Sequence, residues 1–370
     1  MKNNYFSMSR VVMHVDLNYF FAQCEEIKNP SLIGKPVIVC VYSGRTEDSG
    51  AVASANYLAR ESGVKAGMPI VFAKRIMKDK EVYFLPPDRE LYSQTSNRVM
   101  EILGKHADIL EVRSIDEAYL DVTKRTDGDF DNAVKLATDI KKELRLKEKL
   151  ICSIGIGPNK LVAKISSGFK KPDGLTAVKP KEVKKFLNPL KVTDIPGVGK
   201  KSEEKMKELG VNTIEDLSKV GLQKLKGMFG NKTGEYFFDA ANGIDEEPVE
   251  IRSDNVQMSK IETLKEDSRD FNLISEVTDK LCVEVAQRAK EEKTLFKNIG
   301  IIAFMKNLES RSKSRTIESY TNDAKIVKKV SRELLREFLH NVDIDVRRIG
   351  VRIGSFERKK EGSLSKFMKK

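Results

Sequence analysis

At 370 residues the chain exceeds what one ordinary hydrophobic core organises, so roughly two to four domains are expected. Hydrophobic residues make up 40% and charged residues 33%, and the longest apolar runs, VIVCV (37–41) and IGIIAFM (299–305), are far shorter than the roughly 20 residues of a membrane helix, which excludes a helical membrane protein. The formal net charge of +12 points to a polyanionic partner, nucleic acid first, and no helix with one cationic side argues for a membrane surface instead.

The opening MKNNYFSMSR lacks the apolar core of a signal peptide, and Cys24, Cys40, Cys152 and Cys282 form no C-x-x-C or paired spacing, so a soluble protein of a reducing cytoplasm is expected. RVVMHVDL (10–17) reads as an apolar strand and NYFFAQCEEI as a short helix with Asn18 as its cap, which puts Asp16 at a strand-to-helix junction. KPVIVCVYS and SGAVAS follow as strands, and NYLARESG as a helix closed by Gly63, together a small α/β insert. From Glu90 come a long helix (ELYSQTSNRVMEILGKH), strands DILEVRS and EAYLDVT, a helix over 131–147 and strand ICSIGIG, so the order is β-α, insertion, β-β-α-β.

The two middle strands meet at SIDEA in a hairpin. On a regular strand Asp116 and Glu117 would face opposite sides, whereas at a turn or bulge the alternation breaks and both carboxylates can turn to one point. Short helices punctuated by glycine and proline occupy 179–243, and GIDEEPVEIRSDN, polar and interrupted by Pro248, reads as a linker. The remainder reads strand (255–264), helix (272–292), strand (296–305), strand (311–320), helix (323–340), strand (345–353), a second split β-α-β arrangement. The basic end, RKKEGSLSKFMKK, is expected to order only when bound.

Asp16, Asp116 and Glu117 can therefore share one sheet edge. Oxygen-only ligation of that kind suits Mg²⁺ or Mn²⁺, and a pair of such ions roughly 3.5–4 Å apart activates a hydroxyl and stabilises a leaving phosphate. Only three His and no useful Cys spacing speak against zinc. In the insert, Ser54, Tyr57 and Arg60 are spaced for one helical face, with Ser54 at the helix start, where backbone N–H groups favour an anion, and Arg60 able to grip phosphate oxygens. SANYLAR alone also fits a plain amphipathic helix. Lys160, after a strand and at a helix start in GIGPNKLVAK, is a second phosphate candidate.

In DIPGVGKKSEEKMKELG, Gly197 and Gly199 flank one apolar residue in a tight turn, and the following helix offers N–H groups and Lys200 to a phosphate without reading a base, the pattern of a helix-hairpin-helix. LKGMFGNKTG (225–234) reads only loosely as a degenerate second copy of it. Arg311, Lys313 and Arg315 alternate along one strand and so share a face. Arg348 and Arg352 do the same on the last strand, with Arg347 beside them, and single-sign alternation on two strands suggests a phosphate track.

HVDLNYFFAQCEE, GAVASANYLAR, SIDEAYLDV, GIGPNKLVAK and IPGVGKK, in this order and spacing, resemble the Y family of translesion DNA polymerases, of the archaeal polymerase IV type, over about Arg10 to Phe356. The resemblance implies an α+β, multi-domain right-hand polymerase. Its parts would be a split β-α-β palm (10–30 and 86–175), small α/β fingers (31–85), a helical helix-hairpin-helix thumb (176–242), a linker (243–253), a second β-α-β-β-α-β domain or little finger (254–356) and a flexible tail (357–370).

By motif, Asp16, Asp116 and Glu117, with the Leu17 carbonyl, would bind two Mg²⁺, for which Mn²⁺ is a possible substitute. Tyr19 and Phe20 would offer backbone N–H groups to a triphosphate, joined by Ser54, Tyr57, Arg60 and Lys160. Phe21 falls at the sugar-gate position, where relatives carry Tyr or Phe, and Ser54 stands where Thr is common. The implied activity is template-directed addition of dNTPs to a primer 3′ end by two-metal phosphoryl transfer, with low fidelity, lesion bypass and no proofreading. Ala51, Ala53 and Gly67 are small where the nascent base pair would lie.

The implied partners are primer-template DNA, dNTP and a sliding clamp, with the polymerase acting as a monomer. Leu364, Phe367 and Met368 would form the clamp-binding face of the tail, although Glu361 stands where Gln is usual and Met368 replaces an aromatic. A nucleotide cyclase would share the palm but has no use for a DNA-binding thumb. A non-catalytic DNA-binding module would leave the three acids and the triphosphate set unexplained.

Overall fold

The structure, a computed structural model, describes residues 9–251 and 256–357. Its residues group into two compact units, one spanning most of the chain to Arg252, the other formed by the C-terminal residues together with Val41–Ala51 and Pro69–Val71.

In the first unit β1 (Val12–Leu17) is buried on both faces, as a continuous apolar run predicts for a central strand. Phe20–Lys28 follows as α1. Val37–Tyr42 (β2), Gly50–Ala55 (β3), Tyr57–Glu61 (α2), Ile70–Ile76 (α3) and Tyr83–Leu85 (β4) form the insert, with strand order β3-β2-β4. Arg89–Lys105 (α4), Ile109–Val112 (β5), Glu117–Asp121 (β6), Phe130–Glu148 (α5), Cys152–Gly157 (β7), Lys160–Phe169 (α6) and Leu175–Ala177 (β8) complete a five-stranded sheet of order β5-β6-β1-β7-β8.

One face of that sheet packs through Met13, Val15 and Ile154 on apolar residues of α4 and α5, among them Val99, Leu103, Ala137 and Ile140. The other face carries α6. A Cβ built on Gly155 would stand 2.1 Å from the Ala163 carbonyl oxygen, so only glycine lets α6 lie this close to β7. Val183–Leu187 (α7), Lys200–Glu208 (α8), Ile214–Ser218 (α9), Leu222–Phe229 (α10) and Asn231–Ala241 (α11) enclose a separate apolar core with Ile195, Met206, Leu217, Leu225 and Phe237.

The second unit runs Gln257–Ser268 (β9), Phe271–Glu291 (α12), Phe296–Met305 (β10), Ser310–Thr321 (β11), Ala324–His340 (α13) and Val346–Phe356 (β12), the expected element order, in an antiparallel sheet β11-β10-β12-β9. Its core joins Ile299, Ile301 and Ala303 to Leu281, Val285, Leu334 and Leu335 of the two helices.

Two local expectations fail because another residue holds the cap position. Asn18 does not cap α1; Tyr19 holds that position in a left-handed conformation (φ 37°). The buried Asn18 amide instead donates to Ser153 Oγ (3.0 Å) and accepts from the Asp173 N–H (2.7 Å). Ser54 is not at a helix start. It lies in β3, and α2 is capped by Asn56, whose Oδ1 accepts from the Ala59 N–H (3.1 Å).

The expected linker carries no helix or strand over residues 244–251, and that part is held to the first unit. Asn159 Nδ2 donates to the Gly243 carbonyl (2.8 Å), Asp245 Oδ2 accepts from the Leu161 N–H (2.8 Å), and Val249 is buried beside Val12, Tyr119 and Ala163. No helix among the described residues is long and apolar enough to cross a membrane.

Candidate active site

Asp16 and Glu117 face each other across the β1–β6 ladder. Asp116 lies in the turn just before β6 rather than in the strand, and its carbonyl accepts from the Leu17 N–H (2.9 Å), which pins the hairpin tip to the end of β1. That is how adjacent acids avoid opposite faces. All three line a cleft of about 280 Å³ together with Leu17, the Tyr19–Phe21 turn, Ser54, Tyr57 and Arg60 of the insert, and Lys171.

Charge in the cleft is closely balanced. The Lys171 ammonium is 2.6 Å from Asp16 Oδ2 and the Lys164 ammonium 2.6 Å from Glu117 Oε2. Burial pushes the Asp16 carboxyl up to about 6 against the pull of Lys171, with Glu117 and Asp116 pushing the same way. The His14 imidazole, 3.6 Å away, and the Lys164 ammonium hold Glu117 well below the usual carboxylate range. His14 is fully buried, shares a hydrogen bond with Ser167 Oγ (2.8 Å), and has its own pKa lowered by burial.

Among the described residues no three acidic, His or Cys side chains close on one point as they stand. Asp16 and Glu117 accept from lysines, and Asp116 accepts from Ser114 Oγ (2.6 Å). The acidic side chains lining the cleft, Asp16, Asp116 and Glu117, nevertheless offer only oxygen, and that donor chemistry fits a hard divalent cation.

On the insert side of the cleft, the Arg60 guanidinium lies 5.1 Å from the Tyr57 ring centroid, and its Nε donates to the Ala55 carbonyl (2.7 Å). Tyr57 meets Tyr19 edge-on at 5.4 Å, and its buried hydroxyl has no hydrogen-bond partner among the described residues.

Lys160 is elsewhere. Its ammonium is buried against Glu111 (2.8 and 3.1 Å) and within 3.2 Å of Glu247, and it does not line the cleft. The lysine that does is Lys171, in the FKKPDG loop after α6. Sequence reasoning passed over it because a loop lysine carries no periodic signal. His14 and Lys164 were missed because one is an ordinary strand position and the other one of many helix lysines.

A larger cleft of about 560 Å³ runs from Asp16 and Glu117 past Lys164 and Phe169 to the Pro196–Val198 turn. Gly197 is left-handed there (φ +89°), and Gly199, extended (φ −96°), precedes Lys200 at the start of α8.

The basic strands of the second unit do not form one track. Arg311, Lys313 and Arg315 stand opposite Ala303, Ile301 and Ile299, on the face that carries the core, and Lys313 and Arg315 pair with Glu337 of α13, Arg315 also with Glu333. Arg348 and Arg352 stand opposite Phe304 and Gly300, on the other face. Arg347 is in an ion pair with Asp267 (3.0 Å) and holds that carboxyl down at about 2.

Residues 15–168 match the impB/mucB/samB family, 193–245 the thumb domain of DNA polymerase-iota, and 255–365 the impB/mucB/samB C-terminal domain. The chain is 46% identical to DNA polymerase IV of Nitrosopumilus maritimus, over 93% of its own length and 95% of that protein's. It belongs to the Y family of DNA polymerases.

DNA polymerase IV of Methanosarcina acetivorans is 41% identical, over 95% of this chain and 98% of that protein. Among solved structures, the "Y-family DNA polymerase chimera Dbh-Dpo4(243-245)-Dbh" superposes with a TM-score of 0.88 at 40% identity, covering 94% of this chain and all of the other. The "Insertion ternary complex of Dbh DNA polymerase" gives 0.68 at 40% identity, covering 93% and 98%. As a Y-family member the chain is a DNA-directed DNA polymerase of the translesion class, built of palm, fingers, thumb and little finger, and polymerases of this family use divalent metal ions.

Proposed function

We propose that this Y-family polymerase joins a dNTP to a primer 3′ end in the cleft at Asp16, with Asp16, Asp116, Glu117 and the Leu17 carbonyl holding a pair of Mg²⁺ ions. The chemistry such ions supply is activation of the primer hydroxyl and stabilisation of the leaving pyrophosphate. The observation that carries the reading is that the acids paired across β1 and β6 line the same cleft as Phe21, Tyr57, Arg60 and Lys171.

Arg60 and Lys171 hold the triphosphate oxygens as charge-assisted donors, and the Tyr57 hydroxyl finds in them the partner it otherwise lacks. Lys171 then exchanges Asp16 for phosphate. Phe21 sits beneath the sugar and excludes a 2′-hydroxyl. Ala53 and Ala66, small residues on the same cleft, leave room for a distorted template base, which supports low fidelity and lesion bypass.

In a Mg²⁺-dependent primer-extension assay, Arg60→Ala and Lys171→Ala should each raise KM for dNTP about tenfold or more, with a smaller fall in kcat, because each removes a charge-assisted bond. Lys160→Ala should leave KM unchanged. An unchanged KM in the first two would put the triphosphate elsewhere.

The Gly197–Lys200 turn and the sheet face bearing Arg348 and Arg352 are the proposed phosphate contacts of the primer-template. Arg352 lies across Gly300, where a Cβ would stand 2.8 Å from its Nε, and that Nε is buried without a hydrogen-bond partner among the described residues. Arg348→Ala and Arg352→Ala should each reduce the slope of log K against log salt by about 0.7–0.9, while Lys313→Ala leaves it unaltered. The reverse pattern would move the DNA to the helix-covered face. Leu364, Phe367 and Met368, expected to reach a sliding clamp, lie outside the described residues. The four cysteines are buried and unpaired, in keeping with a cytoplasmic site of action.

A further inference from the structure

We infer that Tyr92 is a positioning residue for the sugar-discriminating ring of Phe21, the rear layer of a two-ring gate built between α1 and α4. The inference rests on the reading that Phe21 faces the sugar.

The two rings are stacked, with centroids 4.5 Å apart and planes within 12°. Phe21 is half-buried and lines the cleft, while Tyr92 is only 1% exposed and does not. A nucleotide in the cleft would therefore meet Phe21, and Phe21 would have Tyr92 at its back. Phe20, tilted against Phe21 at 5.8 Å, closes one edge.

Tyr92 is itself fixed. Its hydroxyl donates to Glu25 Oε1 (2.6 Å), and Glu25 is buried one turn after Phe21 on the same side of α1. One turn further along, Lys28 pairs with Asp88 (2.9 Å), and Asp88 caps α4 by accepting from the Leu91 N–H (3.0 Å). Positions 21, 25 and 28 thus form one stripe of α1, and each is tied to the first turn of α4 or its cap.

The physical consequence concerns how far the gate can yield. A ring excludes a 2′-hydroxyl only if moving aside is costly, and an aromatic side chain with a free rear face escapes by changing rotamer. With Tyr92 stacked behind Phe21 and anchored through Glu25, that movement requires displacing a buried ring and breaking a buried hydrogen bond. Discrimination between dNTP and rNTP then depends on Tyr92, although it touches neither.

The test is the ratio of kcat/KM for dNTP to that for the matching rNTP, measured on the full chain with primer-template and Mg²⁺. Tyr92→Leu should lower the ratio about three- to tenfold, the worth of a stacked aromatic pair, with dNTP insertion less affected. Tyr92→Phe keeps the ring and loses the anchor, and is expected to lower the ratio about threefold and to lower the melting temperature as well, because the buried Glu25 carboxylate loses its donor. In a Phe21→Ala background, Tyr92→Leu should lower the ratio no further.

If Tyr92→Leu and Tyr92→Phe leave the ratio intact, or depress dNTP and rNTP use equally, Tyr92 is packing and nothing more. If Phe21→Ala itself leaves the ratio unchanged, the gate reading fails first and the inference falls with it.

Discussion

Asp116→Asn and Glu117→Gln are each expected to reduce single-nucleotide addition on the order of 10³-fold or more, with primer-template affinity nearly intact. Both changes keep the shape of the side chain and remove its negative charge. Asp116→Asn preserves the backbone carbonyl that holds Leu17, and the amide oxygen can still accept from Ser114, so the hairpin should stay in place. Glu117→Gln leaves Lys164 without its 2.6 Å counter-charge at a partly exposed site, a small stability cost beside the lost chemistry. The comparison is between incorporation at saturating dNTP and Mg²⁺ and binding of labelled primer-template. Extension within tenfold of the parent by either variant would remove that residue from the metal-binding set.

The second large effect is on stability and separates Lys160 from Lys171. Lys160 and Glu111 have side chains 5% and 0% exposed, and Tyr119 stacks its ring 5.2 Å from the ammonium. Lys160→Met would leave the buried Glu111 carboxylate with the Glu250 N–H as a donor but without the Lys160 ammonium, a loss of about 3–5 kcal/mol. Replacing both, Lys160→Met with Glu111→Leu, should recover most of it, since two apolar side chains of similar volume need no partner. Denaturant unfolding of both variants reads the difference. A stable Lys160→Met with a raised KM for dNTP would restore the phosphate role that its motif suggested.

Apolar runs and turn residues are local, so much of the fold was legible in the sequence. The six elements of the second unit fall where strand and helix periodicity places them, and Gly63 takes the left-handed conformation (φ +98°) just past α2, as expected of a closing glycine. The three acids were legible as well, because a strand end and a hairpin tip are features of sequence spacing, and the turn at Asp116 broke the alternation as a turn must.

The order of elements, the family, and which residues share a face are therefore properties of the chain alone. The period of two in a strand put Arg311, Lys313 and Arg315 on one side whatever the tertiary arrangement. Only the packing of α12 and α13 on the sheet through Ile299, Ile301 and Ala303 decided that this side is the covered one, and that Arg348 and Arg352 are left on the other. The same holds for the lysines. Lys160 and Lys171 both flank α6, but their partners come from chain distant in sequence: Glu111 and the segment after Gly243 for the first, Asp16 for the second. A charged side chain goes where its nearest counter-charge lies, and that distance exists only once the chain has folded.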